Sequence, residues 1–241
     1  MKTVVILQSN YIPWKGYFDL MHDADEFILF DTMQYTRRDW RNRNQIKTAH
    51  GQIWLTIPVE VKGKYHQRIN ETEIADPDWA EKHWRSIKAS YSKTPCFTEM
   101  SAPIETLYQR VAHERMLSHV NRSLLEGVAD LLGINTKITW SSDYPATEGK
   151  TERLAALCKA AGGTHYISGP AARDYIDPEV FIDAGIDLSF KDYSGYPTYP
   201  QVHADFLHGV TVLDLMFCVG AAAPWYVWGW RSAPLSPRAA F

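Results

Sequence analysis

Cysteine is scarce in this sequence, and the cysteines present are not arranged to bind metal. There are 3 among 241 residues, at Cys96, Cys158 and Cys218, and none belongs to a CxxC pair. An odd, dispersed set is typical of a reducing compartment rather than of a disulfide-stapled secreted domain. The sequence therefore predicts no metal site, and we expect the three thiols to fill the core.

Long apolar runs are also missing. The stretch MKTVVILQSNY at residues 1–11 has one lysine and a short apolar run before polar residues begin. That run is too short for the core of a signal peptide and far too short to span a membrane. We therefore expect a cytoplasmic protein that has no membrane partner.

An excess of positive charge is absent as well. The 25 lysines and arginines face 28 aspartates and glutamates, for a formal net charge of -3. This balance argues against a surface that binds nucleic acid everywhere, but it leaves room for a local basic patch. Internal repeats and low-complexity linkers are lacking too, so we expect a single α/β domain over residues 1–241.

What is present is an alternation of short apolar runs and amphipathic segments. The apolar run at 4–7 and the segment 26–30, which is apolar after Glu26, predict buried strands, with a short helix at 16–22 between them. Further strands are predicted at 137–141, 165–168 and 186–190, again with helices between them. Strand-helix-strand units cross over right-handedly and make parallel sheets, whose ligands bind beyond the carboxyl ends of the strands. The pattern predicts a Rossmann-like parallel sheet.

Two segments depart from this alternation. Residues 45–61 predict a β-hairpin that turns at His50 and Gly51. From Asp76 and Pro77, apolar residues recur at helical spacing as far as Gly133. We expect an inserted helical block at about 76–132 that forms part of the active-site wall.

The turn after the first strand, QSNYIPWKGY at 8–17, is the most informative stretch. A turn needs glycine or proline, but it does not need three aromatic residues and a lysine. Because the turn lies at the carboxyl edge of the predicted sheet, we interpret it as a ligand site. The candidates are Gln8, Asn10, Tyr11 and Trp14 for substrate binding, with Lys15 and Tyr17 for catalysis.

The stretch RRDWRNRN at 37–44 places four arginines around Trp40. It is either a solvated loop or an anion site, since guanidinium groups bind phosphate and carboxylate bidentately. Asp31 ends a predicted strand nearby, where it could orient a substrate amine, bind Mg²⁺ beside a phosphate, or merely cap a turn. The candidates are Asp31, Gln34, Arg37 and Asn42 for binding and Arg41 for catalysis.

Two later loops complete the predicted site. ISGPAARDY at 167–175 places a tight loop between a strand and a helix start, where backbone N–H groups favour anions, although Gly and Pro could simply end the strand. KDYSGYPTYPQVH at 191–203 could stack on a sugar or base, or form a rigid lid. The candidates are Ser168, Lys191, Tyr193 and Gln201 for binding and Arg173 for catalysis.

Taken together, the chain resembles the WbqC-like family, which is associated with bacterial surface-polysaccharide gene clusters. The resemblance spans nearly all of residues 4–219. It implies aminoacyl or glycine transfer to an O-antigen sugar. The segments that carry it are QSNYIPWKGYFDLMHDADEFILFD, RDWRNRNQIKT followed by GQIWLTIPV, THYISGPAARDYI, and FKDYSGYPTYPQVHADFLHGVTVLDLMF.

A more distant resemblance is to nucleotidylyltransferases and pantothenate-synthetase-like ligases. PWKGY at 13–17 is similar in position to their HxGH turn, with Trp14 and Tyr17 where the histidines would stand, and ISGPAAR is similar to their second phosphate loop. The resemblance implies an HUP-type, nucleotidylyltransferase-like fold that uses ATP and Mg²⁺. Arg37, Arg41 and Arg173 would then neutralise phosphate in the transition state, together with Lys15.

The sequence thus favours an acyltransferase or ATP-dependent ligase that joins a small amino acid to an amine or hydroxyl acceptor, such as a sugar nucleotide. Two alternatives remain open. The donor could arrive already activated on a tRNA or a carrier protein, without ATP. The protein could instead be a non-catalytic module that binds a sugar nucleotide or RNA through its aromatic loops.

Overall fold

A five-stranded parallel sheet forms the centre of the computed structural model, which describes residues 1–203 and 205–232. The sheet has the strand order β5-β2-β1-β6-β7, and a separate antiparallel hairpin pairs β3 with β4. The strands are β1 (Thr3–Leu7), β2 (Glu26–Leu29), β3 (Arg43–Thr48), β4 (Gly51–Thr56), β5 (Lys137–Trp140), β6 (His165–Ser168) and β7 (Asp187–Phe190).

Helices cover both faces of this sheet. Three of them follow one another between the hairpin and β5 and form the helical block. The helices are α1 (Lys15–His22), α2 (Trp79–Tyr91), α3 (Phe97–Val111), α4 (Leu117–Leu132), α5 (Thr151–Ala160), α6 (Pro178–Ala184), α7 (Val212–Val219) and α8 (Ala223–Val227).

Alternate residues of the central strands enter two different cores. Val5, Phe27 and Leu29 pack with the helical block and α7, whereas Val4 and Ile28 pack on the opposite face with residues of α5 and α6. Successive side chains of a strand point to opposite faces, so a sheet covered on both faces requires runs that are apolar at every position. This requirement explains the short continuous apolar runs of the sequence.

The register of the sheet brings the strand ends together. Leu7 of β1 pairs with Leu29 of β2, and Leu29 pairs with Trp140 of β5. The segments that follow these three strands therefore leave the sheet at the same edge. The chain order reverses between β1 and β6, which is where ligands bind in open α/β sheets.

The parallel sheet and the hairpin expected from the sequence are confirmed. Some boundaries differ: the hairpin strands occupy 43–56 rather than 45–61, and α2 begins at Trp79 rather than at Asp76 and Pro77. The Oδ1 atom of Asp76 accepts a 2.9 Å hydrogen bond from the backbone N–H of Asp78, so these residues make a turn that precedes the helix. Within residues 1–203 and 205–232, no helix combines the length and apolarity needed to cross a membrane.

Candidate functional site

The aromatic turn after β1 is fastened to the arginine-rich loop. The backbone N–H of Tyr11 donates a 3.0 Å hydrogen bond to the carbonyl of Trp40. The amide of Asn44 donates to the carbonyls of Tyr11 and Ile12 at 3.1 and 2.7 Å. Ile12 has a φ of 33°, which is strained for a β-branched residue, so these hydrogen bonds hold an unfavourable backbone conformation in place.

Between these two segments lies a cavity of about 330 Å³, which we name the indole crevice. Trp14 and Trp40 supply its apolar surface, and amide and imidazole groups supply polar contacts. Its lining residues are Asn10, Pro13, Trp14, Trp40, Asn44, His208 and Gly209. The crevice therefore offers flat aromatic surfaces and a few hydrogen-bonding groups to a small ligand.

Arg41 lies behind the indole crevice. A terminal nitrogen of its guanidinium donates a hydrogen bond to Oδ1 of Asn10, and the other terminal nitrogen lies 3.7 Å from a carboxylate oxygen of Asp39. The side chain is only 13% exposed, and its Nε has no hydrogen-bond partner within the described part of the chain. Burial lowers the pKa of this guanidinium, and the charge of Asp39 opposes that change.

Asp31 ties together the segments around Arg41. Its Oδ1 accepts a 2.8 Å hydrogen bond from the backbone N–H of Ser9, and its Oδ2 accepts one from the hydroxyl of Ser118. The amide of Asn121 donates to the Ser9 hydroxyl at 3.0 Å and to the carbonyl of Arg41 at 2.8 Å. Burial raises the pKa of Asp31, although the hydrogen bond from Ser118 opposes the rise.

These contacts decide what Asp31 can do. Its carboxylate is 1% exposed and both of its oxygens already accept hydrogen bonds. A Mg²⁺ ligand needs an oxygen that can face the ion, so Asp31 does not fit that role. It fits the role of the turn-holding residue that the sequence left as an alternative.

Tyr17 is buried beneath the same turn. The hydroxyl of Tyr17 donates a 3.1 Å hydrogen bond to the carbonyl of Gln8. Tyr17 therefore contacts the backbone of Gln8 and not its side chain. Burial raises the pKa of Tyr17 well above its ordinary value, and the charge of Asp31 adds to the rise. Tyr17 is therefore a neutral hydrogen-bond donor that shapes the turn.

Lys15 is enclosed by the aromatic loop at 191–206. Its Nζ lies 4.8 Å from the ring centre of Tyr196, 5.4 Å from that of Tyr199 and 6.0 Å from that of Phe206. It also donates a 3.2 Å hydrogen bond to the carbonyl of Pro197. Burial lowers the pKa of Lys15 to about 8, although the charge of Asp19 opposes the change.

The same loop supports the indole crevice from behind. Tyr193 contacts the ring of Trp14 edge to face, with ring centres 5.1 Å apart. Lys191 instead makes a buried ion pair with Asp19 at 2.9 Å and Gln201 donates to Asp214 at 2.7 Å. Lys191 and Gln201 therefore hold the loop in place, and neither lines the crevice.

Several other predicted residues bond to the protein itself. The buried hydroxyl of Tyr11 lies 2.7 Å from both Nδ1 of His83 and the hydroxyl of Tyr108, inside the core. Asn42, Gln34 and Arg37 bond to backbone carbonyls of the segment at 57–65. Their acceptors are the carbonyls of Ile57, Tyr65 and Val61, at 2.8, 2.9 and 2.9 Å.

The loop after β6 lies apart from the indole crevice. Ser168 is buried, and its hydroxyl lies 3.4 Å from that of Tyr166. The guanidinium of Arg173 lies 5.1 Å from the ring centre of Phe190, at the end of β7. The structure therefore places Asn10 and Trp14 in the crevice wall and joins Arg41 to Asn10 by a hydrogen bond, whereas Arg41, Ser168 and Arg173 are not lining residues.

His208 and Gly209 line the crevice but were not among the predicted site residues. Two backbone hydrogen bonds hold the following residues beside the crevice. The N–H of Thr211 donates to the carbonyl of Gln45 at 3.0 Å, and the N–H of Val212 donates to the carbonyl of Pro13 at 2.9 Å. No local sequence signal marks these pairings. Trp40 and Asn44, also in the wall, lie inside the arginine-rich stretch that the sequence singled out.

The parallel sheet and the separate hairpin define an α/β protein with Rossmann-like strand order, and the indole crevice opens at the edge of that sheet. The chain belongs to the WbqC-like protein family, which matches residues 8–225. It is 50% identical over 227 residues to "Uncharacterized protein Rv1507c" of Mycobacterium tuberculosis strain H37Rv, covering 94% of this chain and 98% of that protein. No solved structure matches the chain. The family expected from the sequence is confirmed, whereas the distant resemblance to HxGH enzymes stays a prediction.

Proposed function

We propose that this protein is a cytoplasmic acyltransferase or ATP-dependent ligase that joins a small amino acid to an amine or hydroxyl acceptor, with a sugar nucleotide as the acceptor. The indole crevice is its substrate site. The sugar nucleotide is chosen because the family that the chain resembles is associated with bacterial surface-polysaccharide gene clusters.

The observation that carries the proposal is the position of Arg41. A guanidinium that is 13% exposed, with an Nε that has no partner in the described residues, lies against Asn10 at the wall of the crevice. Guanidinium groups bind carboxylate and phosphate through charge-assisted hydrogen bonds. Both groups occur in the proposed substrates, so this end of the crevice suits the acid or the phosphate of the reaction.

The rest of the crevice suits a ring-shaped acceptor. Trp14 and Trp40 offer indole faces, on which a sugar or a base can pack. The amides of Asn10 and Asn44 also line the crevice, although the Asn44 nitrogen already donates to the carbonyls of Tyr11 and Ile12 and its oxygen accepts from the N–H of Gln45. These groups would bind and orient the substrates, and closeness of the two reactants supplies much of the rate enhancement in such reactions.

In the ligase reaction, a carboxylate oxygen of the amino acid attacks the α-phosphorus of ATP, and the α–β anhydride bond breaks to release pyrophosphate. The acceptor nitrogen or oxygen then attacks the acyl carbon, the acyl–phosphate bond breaks, AMP leaves and the acceptor proton passes to solvent. With a donor activated on tRNA or a carrier protein, the acyl–oxygen or acyl–sulfur bond breaks instead. Mg²⁺ would arrive with the phosphates of ATP.

The test is ATP–pyrophosphate exchange with purified protein, Mg²⁺ and pooled amino acids, with and without sugar nucleotides. We expect exchange by the wild type and a loss of at least tenfold in Arg41→Lys, because lysine cannot reproduce the guanidinium fork. Arg85→Lys, on the exposed surface of α2, is the matched control and should exchange normally. Exchange unaffected by Arg41→Lys would remove Arg41 from the site.

If no exchange occurs, the same proteins are given aminoacyl-tRNA or an aminoacyl carrier thioester, and acyl loss from the donor is followed. Acyl transfer that depends on Arg41 would support the transferase form of the proposal. Failure of both assays with every acceptor tested would contradict it.

One specific observation favours the non-catalytic alternative. Trp40 and Trp54 are 43% and 41% exposed, their ring centres lie 5.3 Å apart, and the guanidinium of Arg43 lies 4.1 Å from the ring centre of Trp54. Such a surface can stack on the bases of single-stranded RNA. Binding of an RNA oligonucleotide that weakens steeply with salt and is lost in Trp54→Ala would favour this function.

A further inference from the structure

A second crevice opens at the same edge of the sheet, beyond the ends of β2 and β5. It consists of two cavities of about 520 and 160 Å³. Both are lined by Thr32, Ser141 and Ser142, so the two cavities adjoin, and we name them together the β2–β5 crevice. None of its lining residues lines the indole crevice.

Two arginines line the larger cavity. Arg153 donates from Nε to the carbonyl of Thr147 at 2.8 Å, and its Nη1 lies 3.3 Å from the sulfur of Met33. Arg68 lines the same cavity. Within residues 1–203 and 205–232, neither guanidinium has a carboxylate within the 4.0 Å of an ion pair. Neither charge is therefore neutralised by a carboxylate there; Arg68 is exposed, and Arg153 keeps Nη2 beyond the contacts of its Nε and Nη1.

The other polar groups of the crevice suit a polyol. The hydroxyls of Thr32 and Ser141 lie 3.1 Å apart, and Ser142, Thr147 and Asn70 add further donors and acceptors. Glu148 brings a carboxylate into the larger cavity, while Asp31 and His119 line the smaller one, where both oxygens of Asp31 already accept hydrogen bonds. A carboxylate repels a bare anion but accepts hydrogen bonds from sugar hydroxyls, so its presence beside the arginines distinguishes a phosphorylated sugar from inorganic phosphate.

The local backbone adds to the positive potential. The ten-residue helix α5 begins at Thr151, between the lining residues Glu148 and Arg153. The N-terminus of a helix carries a partial positive charge, which favours an anion near its first turn. This contribution supplements the arginines and would not make a site without them.

We propose that the β2–β5 crevice binds a phosphorylated sugar, with Arg68 and Arg153 on the phosphate and with Glu148 and the hydroxyl side chains on the sugar. The same chemistry belongs to a free sugar phosphate and to the ribose phosphate of a nucleotide. The inference does not rest on the proposed acyl transfer, because it concerns a different crevice and is tested by binding alone.

The test is isothermal titration of the wild-type protein, without Mg²⁺, with glucose 1-phosphate, ATP and inorganic phosphate as separate probes. The variants are Arg68→Gln and Arg153→Gln, with Arg110→Gln on α3 as the control. We expect each crevice variant to weaken binding of the sugar-containing probe at least tenfold while the control binds normally. Thermal unfolding of each variant verifies that the fold is intact.

A third variant tests the crevice without touching an arginine. Ser142 is an exposed residue that lines both cavities, so Ser142→Phe should block the space and abolish binding while the protein stays folded. Arg85→Lys, on the exposed surface of α2, should leave the affinity unchanged. Loss of binding in Arg41→Lys together with full binding in the Arg68 and Arg153 variants would overturn the proposal.

The probes separate the two sources of the ligand. Binding of glucose 1-phosphate but not ATP would indicate a free sugar phosphate, and the reverse result would indicate a nucleotide; both support the proposal. Inorganic phosphate that binds as tightly as either would overturn the assignment of a sugar. Absence of binding by all three probes would overturn the site itself, whatever the exchange assay shows.

Discussion

The backbone N–H of Ser9 lies 2.8 Å from Oδ1 of Asp31, so the second residue after β1 is hydrogen-bonded to the second residue after β2. Because Leu7 pairs with Leu29, Ser9 and Asp31 lie the same number of residues beyond the carboxyl edge of the sheet. Ser118 and Asn121 of α4 complete the contact from the side of the helical block. This buried network connects the two crevices. Asn121 donates to the carbonyl of Arg41, whose side chain bonds to Asn10 in the wall of the indole crevice, and Asp31 lines the β2–β5 crevice.

Ser118→Ala tests the strength of this network. The buried carboxylate of Asp31 would lose one donor, which costs about 1.5–3 kcal/mol for a hydrogen bond to a charged group. The ionised form suffers most, so the pKa of Asp31 should rise further and the loss should shrink when acid protonates the carboxyl. Urea unfolding at pH 7 and at pH 4 measures both effects. Ser86→Ala, an exposed serine of α2, should change little at either pH.

Lys15 and Lys191 are both buried, yet their replacement by methionine should have opposite effects. Lys15 faces aromatic rings and a carbonyl, whereas Lys191 pairs with Asp19 and Asp23. We expect Lys15→Met to stabilise the fold at pH 7 by about 1 kcal/mol, because burial of that charge is poorly compensated. Lys191→Met should destabilise it by about 2–3 kcal/mol, because it leaves the buried carboxylate of Asp19 with one cation fewer.

The pH dependence of Lys15 has a definite sign. Its pKa is about 8 in the folded protein against 10.5 ordinarily, so between these values the unfolded chain binds a proton that the folded protein does not. The stability contributed by this group therefore rises as the pH increases from about 8 to 10.5. The advantage of Lys15→Met over the wild type should shrink across that window in urea unfolding. A constant advantage would contradict the lowered pKa.

Gly16→Ala tests how Trp14 is positioned. A Cβ at residue 16 would lie 2.3 Å from the ring of Trp14, so the indole must move away from its place in the crevice wall. Alanine favours a helix by about 1 kcal/mol over glycine, so the net change in stability should be small while ligand binding in the crevice falls. Gly209→Ala is the matched control, since its Cβ would have no atom within 4 Å in the same crevice. Equal binding by the two variants would contradict this positioning role.

The ionised form of Glu26 stabilises the fold, whereas the ionised form of Lys15 destabilises it, and both lowered pKa values make stability rise with pH. Burial opposes its ionisation, but hydrogen bonds from Lys2, Tyr144 and Thr139 outweigh burial and lower its pKa from 4.5 to about 2. The stability it contributes is present above pH 4.5 and is lost as the pH falls towards 2. Glu26→Gln should cost about 2 kcal/mol at pH 7 and less than half of that at pH 3. Guanidinium chloride unfolding of both proteins at the two pH values measures the difference.

The sheet could be predicted because its signals are local. The run at 4–7 is apolar at every position, as a strand covered on both faces requires, and residues 27–30 repeat this pattern after the charged Glu26. Part of the candidate site could also be predicted from local sequence signals. Asn10 and Trp14 come directly after β1, and Arg41 lies in a stretch whose charge and aromatic content mark it as unusual.

The remaining site residues could not be read from the sequence because side-chain direction depends on distant partners. Tyr11 lies one residue from Asn10, yet its ring enters the core, where His83 of α2 and Tyr108 of α3 bind its hydroxyl. His208 reaches the crevice only through the backbone pairing of Thr211 with Gln45. Arg173 looked equivalent to Arg41 as a phosphate ligand, but the end of β7 holds it elsewhere.

The fastening of Thr211 and Val212 to Gln45 and Pro13 also has a consequence for how the protein is made. A nascent chain that has emerged as far as Phe190 contains every strand of the sheet, because β7 ends there. It still lacks His208, Gly209 and the two hydrogen bonds that seat them. Contacts between residues so far apart in sequence form late in folding. The indole crevice is therefore completed only after Val212 has been translated, later than the strands of the scaffold that carries it.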